Sequence, residues 1–175
     1  MVDIRQTISD GKNWLERIAG KLPLYKGYKQ KEERREADTL LRNHIAQQFS
    51  AQLSAAEDVT GQMLLGPAIS QLDDMGQANM RLQTLIDKVK TAAQGYAGLF
   101  DTIKVKEDEL DTLYEFDYAL LTKADEIGEA IDSIQAAIDE GDSSKIAASV
   151  RRYNKTVTDT SALFDQRKDV LLGLA

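Results

Sequence analysis

One histidine, His44, and the absence of cysteine limit the chemistry open to this chain. A ferritin-like di-iron centre needs a Glu-x-x-His pair on each of two helices, and His44 has Leu41 three residues before it. A zinc site of histidine and cysteine fails on the same ligand count. A nucleophile–base–acid triad would have to use His44 as its base, and its neighbours Asn43 and Gln47 suggest no such set. His44 stands beside the apolar positions Leu41 and Ile45, so it is expected to flank a packed helix face. The segment from Gly141 to Lys145 has a glycine and a lysine but not the spacing or preceding strand of a phosphate-binding loop, and reads as a turn between helices. No glycine sits among alternating carboxylates as in an EF-hand. No cofactor or metal site is expected.

Asp117 is the exception among the polar residues. It falls on an otherwise apolar track of Leu110, Leu113, Leu120, Ala124, Ile127, Ile131, Ile134 and Ile138. A carboxylate buried there has its pKa raised unless it is paired. The favoured reading is an acid paired to Lys, Arg or Tyr that fixes the register of a bundle. A buried acid in a site is the alternative, and a small rotation of the helix would put Tyr114, Tyr118 and Leu121 inward instead.

The elements that carry these residues are helical. Ala, Leu, Asp, Lys, Gln and Glu dominate, β-branched runs are missing, and only Pro23 and Pro67 interrupt. A long helix begins near Lys29, with the stripe Leu41, Ile45, Phe49, Leu53, Ala56, Val59 and Met63; Gly66-Pro67 ends it. The next stripe is Ile69, Leu72, Met75, Leu82, Ile86, Val89, Ala93, Tyr96, Phe100 and Ile103. After a turn at 102–105, Glu107, Asp108 and Glu109 open the helix that carries Asp117. Gly141 closes it, and Asp142 or Ser143 starts a last helix with Ile146, Val150, Tyr153, Val157, Ser161, Phe164 and Leu171 inward. Tyr96, Phe100, Tyr114, Phe116 and Tyr118 crowd the reversal between the second and third long helices, so residues 94–121 are expected to form an aromatic-packed hinge. Short connections make consecutive helices antiparallel.

The fold class is therefore all-α: an elongated antiparallel up-down four-helix bundle with a short N-terminal amphipathic helix. In domain terms, residues 1–28 form that helix and an extended tether, and residues 29–175 the bundle.

The net charge of −7 is unevenly spread. Residues 1–31 carry seven basic and three acidic groups, whereas 101–142 carry three lysines and fourteen carboxylates. An acidic total without an aromatic-studded basic face argues against nucleic acid. The candidate anchor residues are Trp14, Leu15, Ile18 and Leu22, with Tyr25 and Tyr28 on the tether. Set among Arg5, Lys12, Arg17 and Lys21, they suit an anionic membrane surface or a helix folded over the bundle. The second is favoured because Asp3, Asp10 and Glu16 dilute the charge. No apolar run reaches the roughly 20 residues that span a bilayer, and the first thirty lack a secretory pattern, so a cytoplasmic protein is expected.

The segments RREADTLLR (34–42), GYAGLFD (95–101) and LDTLYEFD (110–117) resemble those of a bacterial family of small soluble helical proteins of uncharacterised function. The resemblance implies a bacterial cytoplasmic origin and no known activity. The layout, a basic amphipathic helix before long helices, is also similar to that of phage-shock and ESCRT-III-like membrane scaffolds, without a shared motif. The expected function is a non-enzymatic interaction or scaffold protein with a protein partner; the alternative is a peripheral membrane scaffold anchored by the N-terminus. A second copy of the chain is a further candidate partner.

Overall fold

The computed structural model describes residues 31–64, 66–96 and 107–171. Among them are four α-helices: α1 (Lys31–Met63), α2 (Leu72–Tyr96), α3 (Glu107–Glu140) and α4 (Ser143–Leu171). A 3-10 helix, Pro67–Gln71, leads into α2. The chain divides into two compact units, 1–42 and 43–175, at a boundary inside α1. In the first, Leu41 and Arg42 are buried. The second is an all-α bundle, and its helix directions follow from side chains that meet across it.

Gln135 of α3 donates to Gln62 of α1 at 2.8 Å, and a Cβ on Gly128 of α3 would lie 3.0 Å from the Gln52 amide of α1. Both numbers rise together, so α1 and α3 are parallel neighbours. On the other side Tyr153 meets Asn79 at 3.0 Å and Lys88 meets Asp165 at 2.9 Å, which makes α2 and α4 parallel neighbours as well. Asn79 donates to Thr60 across the antiparallel α1/α2 pair. Arg167 reaches Asp117 across the antiparallel α3/α4 pair. Consecutive helices thus alternate in direction, as the short connections require, but the order around the bundle is α1, α2, α4, α3. Two helical hairpins lie side by side, with like-directed helices in contact.

The ends of the helices have local causes. Gly66 adopts φ 91° and ψ −154°, a conformation open only to glycine, and Pro67 then starts the 3-10 turn without a donor to lose. At the other connection Gly141, φ 69°, sends its N–H to Ile138 O at 2.9 Å, while Asp142 N–H reaches Ala137 O at 3.3 Å. That pair of bonds is a Schellman cap on α3. Asp142 Oδ1 then accepts from the N–H groups of Ser144 at 3.0 Å and Lys145 at 3.1 Å, capping α4.

The core follows the 3–4 spacing closely. Leu41, Ile45, Phe49, Leu53, Ala56, Val59 and Met63 of α1 are all buried, as are Leu82, Leu85, Ile86 and Val89 of α2 and Leu120, Ala124, Ile127, Ile131 and Ile134 of α3. Two expectations need correction. Ile69 is 58% exposed and Ala68 is buried in its place. The tighter 3-10 turn rotates the segment relative to an α-helical track, which puts the smaller side chain inward. On α4 the inward track passes through Thr160 and Arg167, not Ser161. Of the aromatic hinge, the side chains of Tyr96, Phe100 and Tyr114 lie outside the described residues, while Phe116 is buried.

Candidate functional site

Two polar constellations lie within the bundle: one joins two residues on inward tracks, and the other links buried Tyr153 to half-buried Asn79 and Thr60. Asp117 stands on α3 between Leu113 and Leu120 in the 3–4 series, so the helix carries it into the interior. Its side chain is 1% exposed and that of Arg167 on α4 is 2% exposed. Arg167 Nε donates to Asp117 Oδ1 at 2.9 Å and Nη2 donates to Oδ2 at 3.2 Å. The planar guanidinium fork matches the carboxylate edge, which gives this pair direction as well as attraction. Tyr118 and Leu121, the alternative inward residues, are half-buried.

Chemically the pair is closed. Each carboxylate oxygen of Asp117 already accepts an N–H of the guanidinium. Removing both charges from water costs several kcal/mol per ion before the pair repays it. The arrangement fits a register lock between α3 and α4, since a one-turn slip of about 5.4 Å would leave two unpaired buried charges.

The second constellation crosses three helices. Tyr153 Oη donates to Asn79 Oδ1 at 3.0 Å, Asn79 Nδ2 donates to Thr60 Oγ1 at 3.1 Å, and Thr60 Oγ1 donates to the Ala56 carbonyl at 2.6 Å. Tyr153 is fully buried, and burial, with the Glu57 carboxylate adding to it, pushes its phenol well above the ordinary tyrosine range. The hydroxyl stays a donor at any physiological pH. The chain of bonds ties α4 to α2 and α2 to α1.

The remaining predicted residues fall into place simply. His44 is half-buried on α1. Gly141 to Lys145 is the turn and cap described above, with Lys145 held by Glu140. Among the described residues no three His, Cys, Asp or Glu side chains gather as a metal site would need, and no helix is long and apolar enough to cross a membrane. Trp14, Leu15, Ile18, Leu22, Tyr25 and Tyr28 lie outside the described residues. Arg167 and Asn79 were missed in the sequence. The signal for Arg167 was available: the steps 146, 150, 153, 157, 160, 164 and 167 continue the α4 track through an arginine.

No family model, curated protein or solved structure matches the chain, in keeping with the resemblance to a family without a known activity. The class that the fold defines is an all-α helical bundle.

Proposed function

We propose that the chain is a non-enzymatic helical-bundle interaction protein, a scaffold that works through its surface on a protein partner. One observation carries the reading: Asp117, the one buried carboxylate among the described residues, is bound by Arg167, while Leu64, Ile69 and Met80 stand 58–72% exposed. The interior groups are committed to holding helices together, and large apolar side chains face outward. Bacterial and cytoplasmic placement rests on the resemblance of residues 34–42, 95–101 and 110–117 and on a chain without cysteine.

The second reading, a peripheral membrane scaffold, is supported by Trp14, Leu15, Ile18 and Leu22 among basic residues in the first 31 positions. The two separate experimentally. The full chain, purified with a partner captured from its host and remixed, should elute as a complex of fixed stoichiometry and stay off anionic liposomes in flotation. Flotation with the liposomes, weakened by salt, together with failure to form any such complex, would overturn the first reading in favour of the second.

A further inference from the structure

The connection between α1 and α2 places two large apolar side chains in water, at the end of the bundle where α1 and α3 finish and α2 and α4 begin. Leu64 is 60% exposed and Ile69 58% exposed, on either side of Gly66 and Pro67. Neither position follows from the core pattern, because the turn after Met63 and the 3-10 helix carry both outward. Single exposed apolar residues are ordinary, but two flanking one tight reversal make a local apolar tip.

The charge around that tip is almost wholly of one sign. Residues 57–75 and 132–150, which converge on this end, hold eight carboxylates and one basic group, Lys145. Their net charge of −7 equals that of the whole protein. Asp58, Asp73, Asp74, Asp139 and Glu140 are exposed there. Some of these groups also serve the helices: Asp73 and Asp74 lie in the first turn of α2, and Asp142 caps α4. That service does not neutralise them, and the one cation at this end is held by Glu140.

We propose that this end of the bundle is the docking surface for a basic amphipathic helix of a partner protein. Leu64 and Ile69 would meet its apolar face, and the surrounding carboxylates would meet the lysines and arginines flanking that face. The assignment rests on the interaction reading above and adds the place and the chemistry of the partner. Charge complementarity selects this occupant: a neutral or acidic helix would bring no countercharge to a −7 pole, and an anionic lipid surface is repelled by it.

The test is titration of the full chain with a synthetic helical peptide of leucine and lysine about 15 residues long, its leucines on one face, against a scrambled peptide of the same composition. The amphipathic peptide should bind at least about tenfold more tightly than the scrambled one, and the Leu64→Ser/Ile69→Ser variant should lose about tenfold in affinity. Both residues are exposed, so circular dichroism should show the helix content of that variant unchanged. Asp73→Asn/Asp74→Asn should weaken binding and flatten its salt dependence, while Met80→Ser, an exposed apolar site on α2 away from the connection, should leave binding unchanged. Equal binding of both peptides, or unchanged binding by the Leu64→Ser/Ile69→Ser variant, would overturn the proposal. So would self-association of the chain, seen by sedimentation, that the same variant abolishes; the tip would then belong to a second copy. A natural partner complex that survives Leu64→Ser/Ile69→Ser would overturn this surface and leave the interaction reading standing.

Discussion

Arg167 Nε lies 2.9 Å from Asp117 Oδ1, fifty residues away along the chain and inside the bundle, so a carboxylate and a guanidinium that would each be costly alone satisfy one another. The pair locks α3 against α4 near one end of their contact. At the other end of the same two helices the Gly141 turn fixes the connection directly. Between them, the chain from Tyr153 through Asn79 to Thr60 ties the two hairpins together.

Tyr153→Phe removes the donor of that chain and leaves Asn79 Oδ1 without its partner at the α2/α4 contact. It should cost about 1–3 kcal/mol in a denaturant titration, as loss of a buried hydrogen bond does. A loss of under about 0.5 kcal/mol would show that the bond contributes nothing.

The same residue carries a pH signature. Its phenol is raised in the folded state by burial first and by Glu57 second, against an ordinary tyrosine value near 10 in the unfolded chain. A group whose folded pKa is raised contributes stability that is fully present below the unfolded value and is lost as pH rises from there toward the folded value. Stability of the wild type should therefore fall above about pH 10 more steeply than that of Tyr153→Phe. Identical alkaline limbs would contradict the burial of the hydroxyl.

Three helical glycines differ in what surrounds them. Nothing lies within 4 Å of a Cβ added at Gly61 or Gly76, so alanine at either should stabilise by about 0.5–1 kcal/mol through helix propensity. Gly128→Ala should gain less, because the Gln52 amide lies 3.0 Å from the new methyl and has to swing aside. Alanine at Gly66, where φ is 91°, should destabilise by about 1–3 kcal/mol. Thermal or denaturant unfolding of the four variants gives the order directly.

Much of this architecture was legible in the sequence, and the parts that were not have physical reasons. The 3–4 spacing from Leu41 to Met63 and from Leu120 to Ile134 specifies helix and inward face together, because one period determines both. Asp117 was visible as a polar residue on an apolar track. Arg167 lies on such a track too, but arginine on a helix is ordinarily a surface residue, and only the far helix shows why this one is inward. Ile69 was misplaced because periodicity assumes 3.6 residues per turn, and the segment after Pro67 turns in three. The order of helices around the bundle is not a property of any one helix, so no period reveals that α1 lies beside α3.

That order can be checked in a chain without native cysteine. Gln62→Cys/Gln135→Cys joins α1 to α3, and Arg81→Cys/Asn154→Cys joins α2 to α4, each at a pair hydrogen-bonded across the surface. A short bifunctional thiol reagent should link both pairs within one chain at low protein concentration. A failure of both would mean that the hairpins are arranged differently.

A double-mutant cycle on Asp117 and Arg167 tests most directly whether the buried acid is structural. Asp117→Leu and Arg167→Leu should each cost about 3–5 kcal/mol in denaturant unfolding, since each strands a buried charge. The double variant should lose less than the two single variants summed, because removing both members strands neither against the other's absence. Additive losses in the double variant, or single variants as stable as the wild type, would contradict the claim that Asp117 is a structural acid bound to Arg167.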